Sequence, residues 1–115
     1  MQDSKRYYKP DVRLGKEGTT YEIYQRCLII RLNDELDHHN AVKIREQSDK
    51  LIDRNHIKHI IFDFSGTDFM DSAGIGLILG RKSRVSGVGG TLTIRKPKPA
   101  IRKLLKLSKM ESMVE

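Results

Sequence analysis

The length, composition and charge of the chain exclude several classes of protein. Its 115 residues fit one domain that can bury a core without disulfides or metal ions, and 37% hydrophobic with 32% charged residues is typical of a globular protein rather than a disordered one. The single cysteine, Cys27, excludes an internal disulfide framework and a cysteine-based zinc site.

The start of the chain is polar and charged, and its aromatic residues are Tyr7 and Tyr8. We expect residues 1–18 to form a flexible N-terminal extension and residues 19–115 to form a single domain. Residues 1–10 lack the apolar core of a signal peptide, and no apolar run reaches the roughly 18 residues of a membrane span. These features predict a cytoplasmic protein with no membrane association.

Two short apolar runs after the extension predict an antiparallel hairpin. In the first run Thr19, Tyr21 and Ile23 alternate with polar residues, and a second run follows at 27–32. A helix is predicted after the polar segment that comes next, because small and apolar residues recur there at a helical period: Ala41, Ile44, Ser48, Leu51 and Ile52. Asp37 is placed to act as the N-cap of this helix.

Strands and helices alternate in the second half of the chain. An almost continuous apolar run at 59–64 predicts a buried strand, and another strand is predicted at 91–94. Helices are predicted from Ser72 onward and after Pro97 and Pro99, since proline suits the first turn of a helix. The order of elements predicts an α/β fold with a mixed central β-sheet of about four to five strands and helices packed against it.

The formal net charge of +7 is concentrated late in the chain. Seven basic residues occur there without an acidic residue between them: Arg95, Lys96, Lys98, Arg102, Lys103, Lys106 and Lys109. The same stretch carries Ile101, Leu104 and Leu105 at helical spacing, so an amphipathic helix packed on the domain explains it without a ligand. The alternative is a small nucleic-acid-binding domain that uses the face from Arg95 to Lys109.

A candidate site lies where the strand at 59–64 gives way to a helix, at the segment Asp71-Ser72-Ala73-Gly74. The first backbone N–H groups of a helix lack intrahelical acceptors and attract negative charge. Ser72 therefore lies where a phosphate would be tolerated. Position alone also allows Ser72 to be an ordinary N-cap.

Catalytic and metal-binding interpretations find less support. Ser72 lacks the Gly-x-Ser-x-Gly nucleophile elbow, because Met70 occupies the position of the first glycine. The pair His38-His39 has no second set of ligands at zinc spacing. The glycines from Gly74 to Gly80 do not have the spacing of a nucleotide-binding loop. We expect no enzymatic activity, no cofactor and no metal site.

Two motifs resemble one known family. The first is Glu35-Leu36-Asp37-His38-His39, and the second runs from Phe69 to Gly76 and continues with Leu79-Gly80-Arg81. Over roughly Tyr21 to Met113 the sequence resembles the STAS family, and within it the bacterial anti-sigma factor antagonists of the sporulation type. The resemblance implies a STAS domain that captures an anti-sigma factor serine kinase, which releases a sigma factor. Phosphorylation reverses the capture, and a serine phosphatase restores the unphosphorylated form.

The resemblance also assigns roles to residues. The family's phosphoacceptor serine corresponds to Ser72. Partner-binding positions of the family correspond to Asp37, Asp71, Ser72, Gly74 and Ile75. Ala73 stands where the family often has a second hydroxyl residue, which leaves Ser72 as the one hydroxyl of the motif. We expect no direct nucleic-acid partner and a monomer or weak dimer. The sequence departs from the family at its end: it stops at Glu115, so we expect the family's final strand to be brief or absent.

Overall fold

The architecture is a five-stranded mixed sheet with three α-helices, as a computed structural model describes it for residues 10–15 and 18–115. The strands are β1 (Val12–Leu14), β2 (Thr20–Tyr24), β3 (Cys27–Arg31), β4 (His59–Asp63) and β5 (Thr91–Arg95). The helices are α1 (His38–Asn55), α2 (Ser72–Ser86) and α3 (Pro99–Leu107), and a 3₁₀ helix follows at Glu111–Met113. The predicted α/β fold is confirmed.

The five strands lie in the order of the sequence. β1, β2 and β3 pair antiparallel, and β3, β4 and β5 pair parallel. The predicted hairpin of β2 and β3 turns at Gln25, whose φ of 57° is left-handed. Because β3, β4 and β5 are parallel, their carboxyl ends meet at one edge of the sheet, and the residues that follow each strand are brought together there.

One face of the sheet carries the core. Across the three parallel strands its side chains stand in two registered rows, Leu28–Ile60–Leu92 and Ile30–Phe62–Ile94, all buried. The helices pack their apolar sides on this face, and the buried side chains of sheet and helices form one continuous cluster. The five positions predicted to recur on one side of α1 are all buried. The helical period in the sequence therefore identified the side of α1 that packs on the sheet.

The opposite face of the sheet carries a row of charged side chains. Arg31 donates from Nη1 to Asp63 Oδ2 over 2.9 Å and from Nη2 to Glu22 Oε1 over 3.0 Å. Burial alone would raise the pKa of Asp63, but hydrogen bonds from Ser65 and the charge of Arg31 outweigh it and hold the pKa below its ordinary value. Asp63 ends β4 and accepts from the Ser65 N–H over 2.9 Å, so it also fixes the start of the next loop.

We expect Asp63→Asn to lower the free energy of unfolding by about 1–3 kcal/mol at neutral pH, because Arg31 and the Ser65 N–H lose the anionic acceptor that the buried Asp63 side chain provides. In the wild type, the unfolded carboxyl binds its proton at a higher pH than the folded one. The stabilisation is therefore complete above the ordinary carboxyl pKa and is lost as the pH falls through the lowered folded pKa. Urea unfolding from about pH 7 to pH 3 measures this. The variant should lose less stability on acidification, and an equal loss would argue against the assignment.

The ends of the chain differ in part from expectation. β1 lies within residues 1–18, where a loose extension was predicted, and pairs with β2 with Val12 opposite Ile23. A three-residue strand is too short to show an alternating pattern in the sequence. Residues 1–9 and 16–17 lie outside the described residues, so the division at residue 19 stays a prediction. At the other end, Val114 forms a single parallel bridge with Ile94, which is the brief final pairing expected.

Candidate functional site

Two loops meet at the carboxyl edge of the parallel strands. An isolated parallel bridge joins Leu36, after β3, to Met70, after β4. The Leu36 N–H donates to the Phe69 carbonyl over 2.9 Å, and the Asp71 N–H donates to the Leu36 carbonyl over 3.3 Å. Asp37 and Asp71 directly follow the bridged residues. The bridge therefore holds the starts of α1 and α2 side by side.

A buried threonine also joins the same two loops. Thr67 is fully buried, and its Oγ1 lies 3.0 Å from the carbonyl oxygens of both Leu32 and Asp34. The loops also approach closely at Gly66, where an added Cβ would lie 2.9 Å from the Leu32 carbonyl oxygen. No pattern in the sequence marks Thr67 or Gly66, because their contacts join loops that are distant in the sequence.

Each helix at the site begins with an aspartate cap. Asp37 Oδ1 accepts from the Asn40 N–H over 2.9 Å, which confirms Asp37 as the N-cap of α1. Asp71 Oδ1 accepts from the Ala73 N–H over 2.8 Å and caps α2. The alternative in which Ser72 is an ordinary N-cap is therefore wrong. The helix is capped one residue earlier, by Asp71, and Ser72 is its first helical residue.

Ser72 is the first residue of α2, and its side chain is exposed. Neither α1 nor α2 has an acidic residue in its first turn after the cap. The partial positive charge at the start of α2 therefore favours a negatively charged group attached to Ser72. The Asp71 carboxylate lies one residue before Ser72. The position suits a neutral hydroxyl that can receive a phosphate.

The exposed face of α2 around Ser72 is partly apolar. Ile75 and Leu79 lie three and seven residues after Ser72 and therefore on the same side of the helix. Ile75 is half-buried against the core, and Leu79 is 45% exposed. Phe69, in the loop before the cap, is 48% exposed. We call Phe69, Ser72, Ile75 and Leu79 the switch surface. The sequence does not predict that Phe69 and Leu79 are exposed, because apolar residues at these positions are equally consistent with a place in the core.

Gly74 is buried on the inner side of α2, so its role is packing beneath the switch surface. An added Cβ would overlap Met70 Cγ and would lie 2.8 Å from Met70 Sδ and 3.0 Å from Leu36 Cδ2. These are the two residues of the bridge. Gly74 therefore lets α2 approach the bridged loops closely, which is a less direct role than the predicted partner contact.

We expect Gly74→Ala to lower the free energy of unfolding by about 1–3 kcal/mol, because the methyl group overpacks the bridge. Gly76→Ala is the matched control on the same helix, since an added Cβ there has no heavy atom within 4 Å. The control should raise stability by roughly 0.5–1 kcal/mol through helix propensity. Thermal and urea unfolding measure both. Equal effects of the two substitutions on stability would contradict the packing role of Gly74.

The histidines do not assemble a metal site in the described residues. Within residues 10–15 and 18–115, no group of three or more His, Cys, Asp or Glu side chains is placed to hold a metal ion. His38 and His39 open α1, whereas His59 begins β4 at the opposite edge and bonds Thr91 Oγ1 over 2.8 Å. No helix of the described part is long and apolar enough to cross a bilayer.

Comparison with known proteins identifies the family. The model of the STAS domain matches residues 19–115. The chain belongs to the STAS family. Among STAS proteins it is 38% identical over 87 residues to the anti-sigma F factor antagonist of Paenibacillus polymyxa, covering 76% of this chain and 74% of the relative. It is 36% identical over 86 residues to the protein of the same name from Lysinibacillus sphaericus, covering 75% and 74%.

Solved structures of STAS proteins agree. The anti-sigma factor antagonist SpoIIAA in its unphosphorylated form superposes with a TM-score of 0.80 at 33% identity, over 85% of this chain and 86% of that one. The Bacillus cell fate determinant SpoIIAA in its phosphorylated form gives 0.73 at 32% identity, over 85% and 89%. The STAS resemblance seen in the sequence is confirmed. The roles of Asp37, Asp71, Ser72, Gly74 and Ile75 in binding or modification stay predictions.

Proposed function

We propose that this STAS domain, when unphosphorylated, binds an anti-sigma factor that is also a serine kinase and thereby releases a sigma factor. Phosphorylation of Ser72 by the kinase ends the binding, and a serine phosphatase restores it. The names of the two relatives, at 38% and 36% identity, support the antagonist role. A similar protein that exists in a phosphorylated and an unphosphorylated form supports the switch. The domain acts as a substrate and binding partner, in the cytoplasm, rather than as an enzyme.

The observation that carries this proposal is the exposed Ser72 hydroxyl on the first turn of α2, beside the capping carboxylate of Asp71 and within an apolar surface. A kinase active site needs an accessible hydroxyl, and Ser72 presents one. The Leu36–Met70 bridge fixes the loop that precedes the helix and so holds the position of Ser72. No other hydroxyl lies in the motif, since Ala73 follows.

Phosphorylation would act mainly through charge. A phosphoserine carries about −1.5 to −2 charges at neutral pH. In the free protein the N–H groups at the start of α2 stabilise this charge by on the order of 0.3–1 kcal/mol. A partner surface built to meet a neutral hydroxyl would have to bury the charge without a matching group, which costs roughly 2–5 kcal/mol. The switch therefore requires no refolding of the domain.

The capping aspartates have a second role in this proposal. Asp37 and Asp71 each use Oδ1 to cap a helix. The second oxygen of each carboxylate can accept from a donor on the partner, so the cap and the partner contact are compatible. Ile75 provides apolar contact on the same side of α2. Gly74 contributes by keeping α2 against the bridge.

Displacement of the sigma factor tests the antagonist role directly. A complex of the anti-sigma kinase and its sigma factor, both from the genome that encodes this chain, is mixed with the unphosphorylated domain and separated by size exclusion. We expect free sigma factor and a new complex of kinase and domain. Retention of the intact sigma complex at excess domain, with the kinase active on another substrate, would refute the antagonist role for that pair.

The nucleic-acid alternative loses part of its basis in the fold. Ile101 and Leu105 of α3 are buried in the core cluster, so the helix packs on the domain and its basic side faces outward for that reason alone. A titration of the domain with a duplex oligonucleotide at increasing salt tests what remains. Tight binding that weakens steeply with salt would favour the alternative, because phosphate contacts release counterions.

A further inference from the structure

A groove with a volume of about 340 Å³ lies between α1 and α2. One end lies at the starts of the two helices, at His38 and Ala73, and the other lies at Arg45 and Gly80. On each helix these residues are seven positions apart, so the groove extends about 10 Å along the helices. Sites for small molecules have volumes of about 300–1,000 Å³, so the groove suits a small ligand.

The walls of the groove are apolar, and α2 contributes glycine to them. The side chains of Ala41, Val42 and Leu77 line the groove, together with Gly76 and Gly80. An added Cβ at either glycine would have no heavy atom within 4 Å, so no other side chain fills the groove at these positions. The walls can therefore contact the apolar part of a ligand, such as a ring.

A buried arginine that lines the groove lacks one hydrogen-bond partner. Arg81 is 5% exposed. Its Nη1 lies 2.7 Å from Asp49 Oδ1 and donates to Ser48 Oγ over 2.7 Å and to the Arg45 carbonyl over 3.1 Å. Its Nε is buried and has no acceptor among the described residues. Since a buried donor without an acceptor is costly, an oxygen atom of a ligand in the groove would stabilise this arginine.

The groove is also short of negative charge. Burial lowers the pKa of Arg81, the charges of Arg84 and Arg45 lower it further, and Asp49 offsets these effects only in part. Arg84 pairs with both Asp49 and Asp53, whereas Arg45 is exposed and makes no ion pair with a described residue. Three guanidinium groups thus face two carboxylates, and no carboxylate is among the described residues that line the groove.

We propose that the groove between α1 and α2 binds a small organic carboxylate, with its carboxylate on Arg81 and Arg45 and its apolar part against the walls. A guanidinium presents its N–H donors in one plane, which suits the two oxygens of a carboxylate. One negative charge matches the excess of one positive charge. A cation has no anionic ligand in the groove, and a neutral apolar molecule would leave the Arg81 Nε without an acceptor.

The groove is separate from the switch surface, because none of the four residues of that surface lines it. The inference therefore does not rest on the proposed function. Its test uses the domain alone, without the kinase, so failure of one proposal is distinguishable from failure of the other.

Titrations with three probes, followed in ¹⁵N–¹H correlation spectra at neutral pH, test the site. Benzoate, phenyl phosphate and benzyl alcohol share a ring and carry one negative charge, about two and none. We expect benzoate to bind with a Kd of about 1 mM or lower, and the other two probes at least about tenfold more weakly. The Arg81 Nε–H signal, identified by its loss in Arg81→Lys, should move downfield as the carboxylate accepts from it.

Substitutions in the groove and outside it locate the site. Gly80→Leu places a side chain in the groove, whereas Ser86→Leu adds the same side chain at the end of α2 outside it. Arg45→Gln removes one charge at the groove, whereas Arg102→Gln removes one on α3. We expect each groove variant to bind benzoate at least about tenfold more weakly than the wild type, and each control to stay within about twofold. Leucine is a better helix former than glycine, and circular dichroism checks that the variants are folded.

Binding of benzoate that only the groove variants weaken, with a shift of the Arg81 Nε–H signal, supports the site. Four results would overturn it: no binding of benzoate, an unmoved Arg81 signal, equal binding by Gly80→Leu and the wild type, or benzyl alcohol that binds as tightly as benzoate. Tighter binding of phenyl phosphate than of benzoate would overturn the assignment of the ligand as a carboxylate.

Discussion

We expect Ser72→Asp to lower the affinity for the anti-sigma kinase by roughly 30-fold or more, and Ser72→Ala to leave it within about threefold of the wild type. A buried, unmatched charge costs roughly 2–5 kcal/mol, and about 1.4 kcal/mol is a factor of ten. Alanine only removes a hydroxyl and adds no charge. Isothermal titration or surface plasmon resonance with the kinase and ADP gives both values.

The control for this substitution is Ser83→Asp. Ser83 is an exposed serine near the other end of α2, about three turns from Ser72, so the same carboxylate is added to the same helix far from the phosphoacceptor position. Its affinity should match that of the wild type. Two results would contradict the proposed role of Ser72: equal loss of affinity in Ser72→Asp and Ser83→Asp, or a loss in Ser72→Ala as large as that in Ser72→Asp.

The second large effect is expected at Gly90, which precedes β5. An added Cβ would overlap the carbonyl oxygen of Lys58 and would lie 2.7 Å from its carbonyl carbon and 3.0 Å from the Val85 carbonyl oxygen. All three atoms belong to the backbone, and Lys58 also accepts from the Thr91 N–H over 3.2 Å. Neither chain segment can move aside without breaking the pairing of β4 with β5.

We therefore expect Gly90→Ala to lower the free energy of unfolding by about 3 kcal/mol or more, which corresponds to a fall of roughly 10–20 °C in Tm. The control is Gly87→Ala, where an added Cβ meets the Arg84 carbonyl oxygen at an ordinary 3.5 Å. Differential scanning calorimetry should show only a small change for the control. A Tm for Gly90→Ala within a few degrees of the wild type would show that the turn adapts easily.

Much of the fold was predictable because its signals are local. The period of the buried residues in α1 comes from packing one helix side on a sheet, and the apolar run of β4 comes from its position between β3 and β5. Both leave patterns within a short stretch of sequence. β1 left no such pattern, because its three residues form a strand only by pairing with the edge of β2.

The site was predictable in part for a different reason. The motifs around Asp37 and Ser72 carry a family resemblance, and local chemistry explains why a phosphate would be tolerated at a helix start. The contacts that bring the motifs together are not local. The bridge of Leu36 with Met70 and the bonds of Thr67 to the β3 loop join segments far apart in the chain. No periodicity records such contacts, so the sequence alone did not reveal them.

The cap of α2 shows the limit of single-residue reasoning. Ser72 and Asp71 are both preferred N-cap residues, and they are adjacent. The choice between them depends on the backbone, which is extended at Asp71 with φ −111° and already helical at Ser72. This difference of one residue determines which side chain is accessible. The Asp71 carboxylate accepts from the Ala73 N–H, whereas Ser72 is exposed.

Intact-mass analysis shows whether the kinase phosphorylates Ser72. The domain is incubated with the anti-sigma kinase from the same genome and ATP, and the modified site is mapped by peptide fragmentation, with Ser72→Ala and Ser83→Ala treated in parallel. We expect the gain of one phosphate on Ser72, unchanged in Ser83→Ala and abolished in Ser72→Ala. A phosphate on another residue, or none from a kinase that modifies a different substrate, would contradict the claim that Ser72 is the switch.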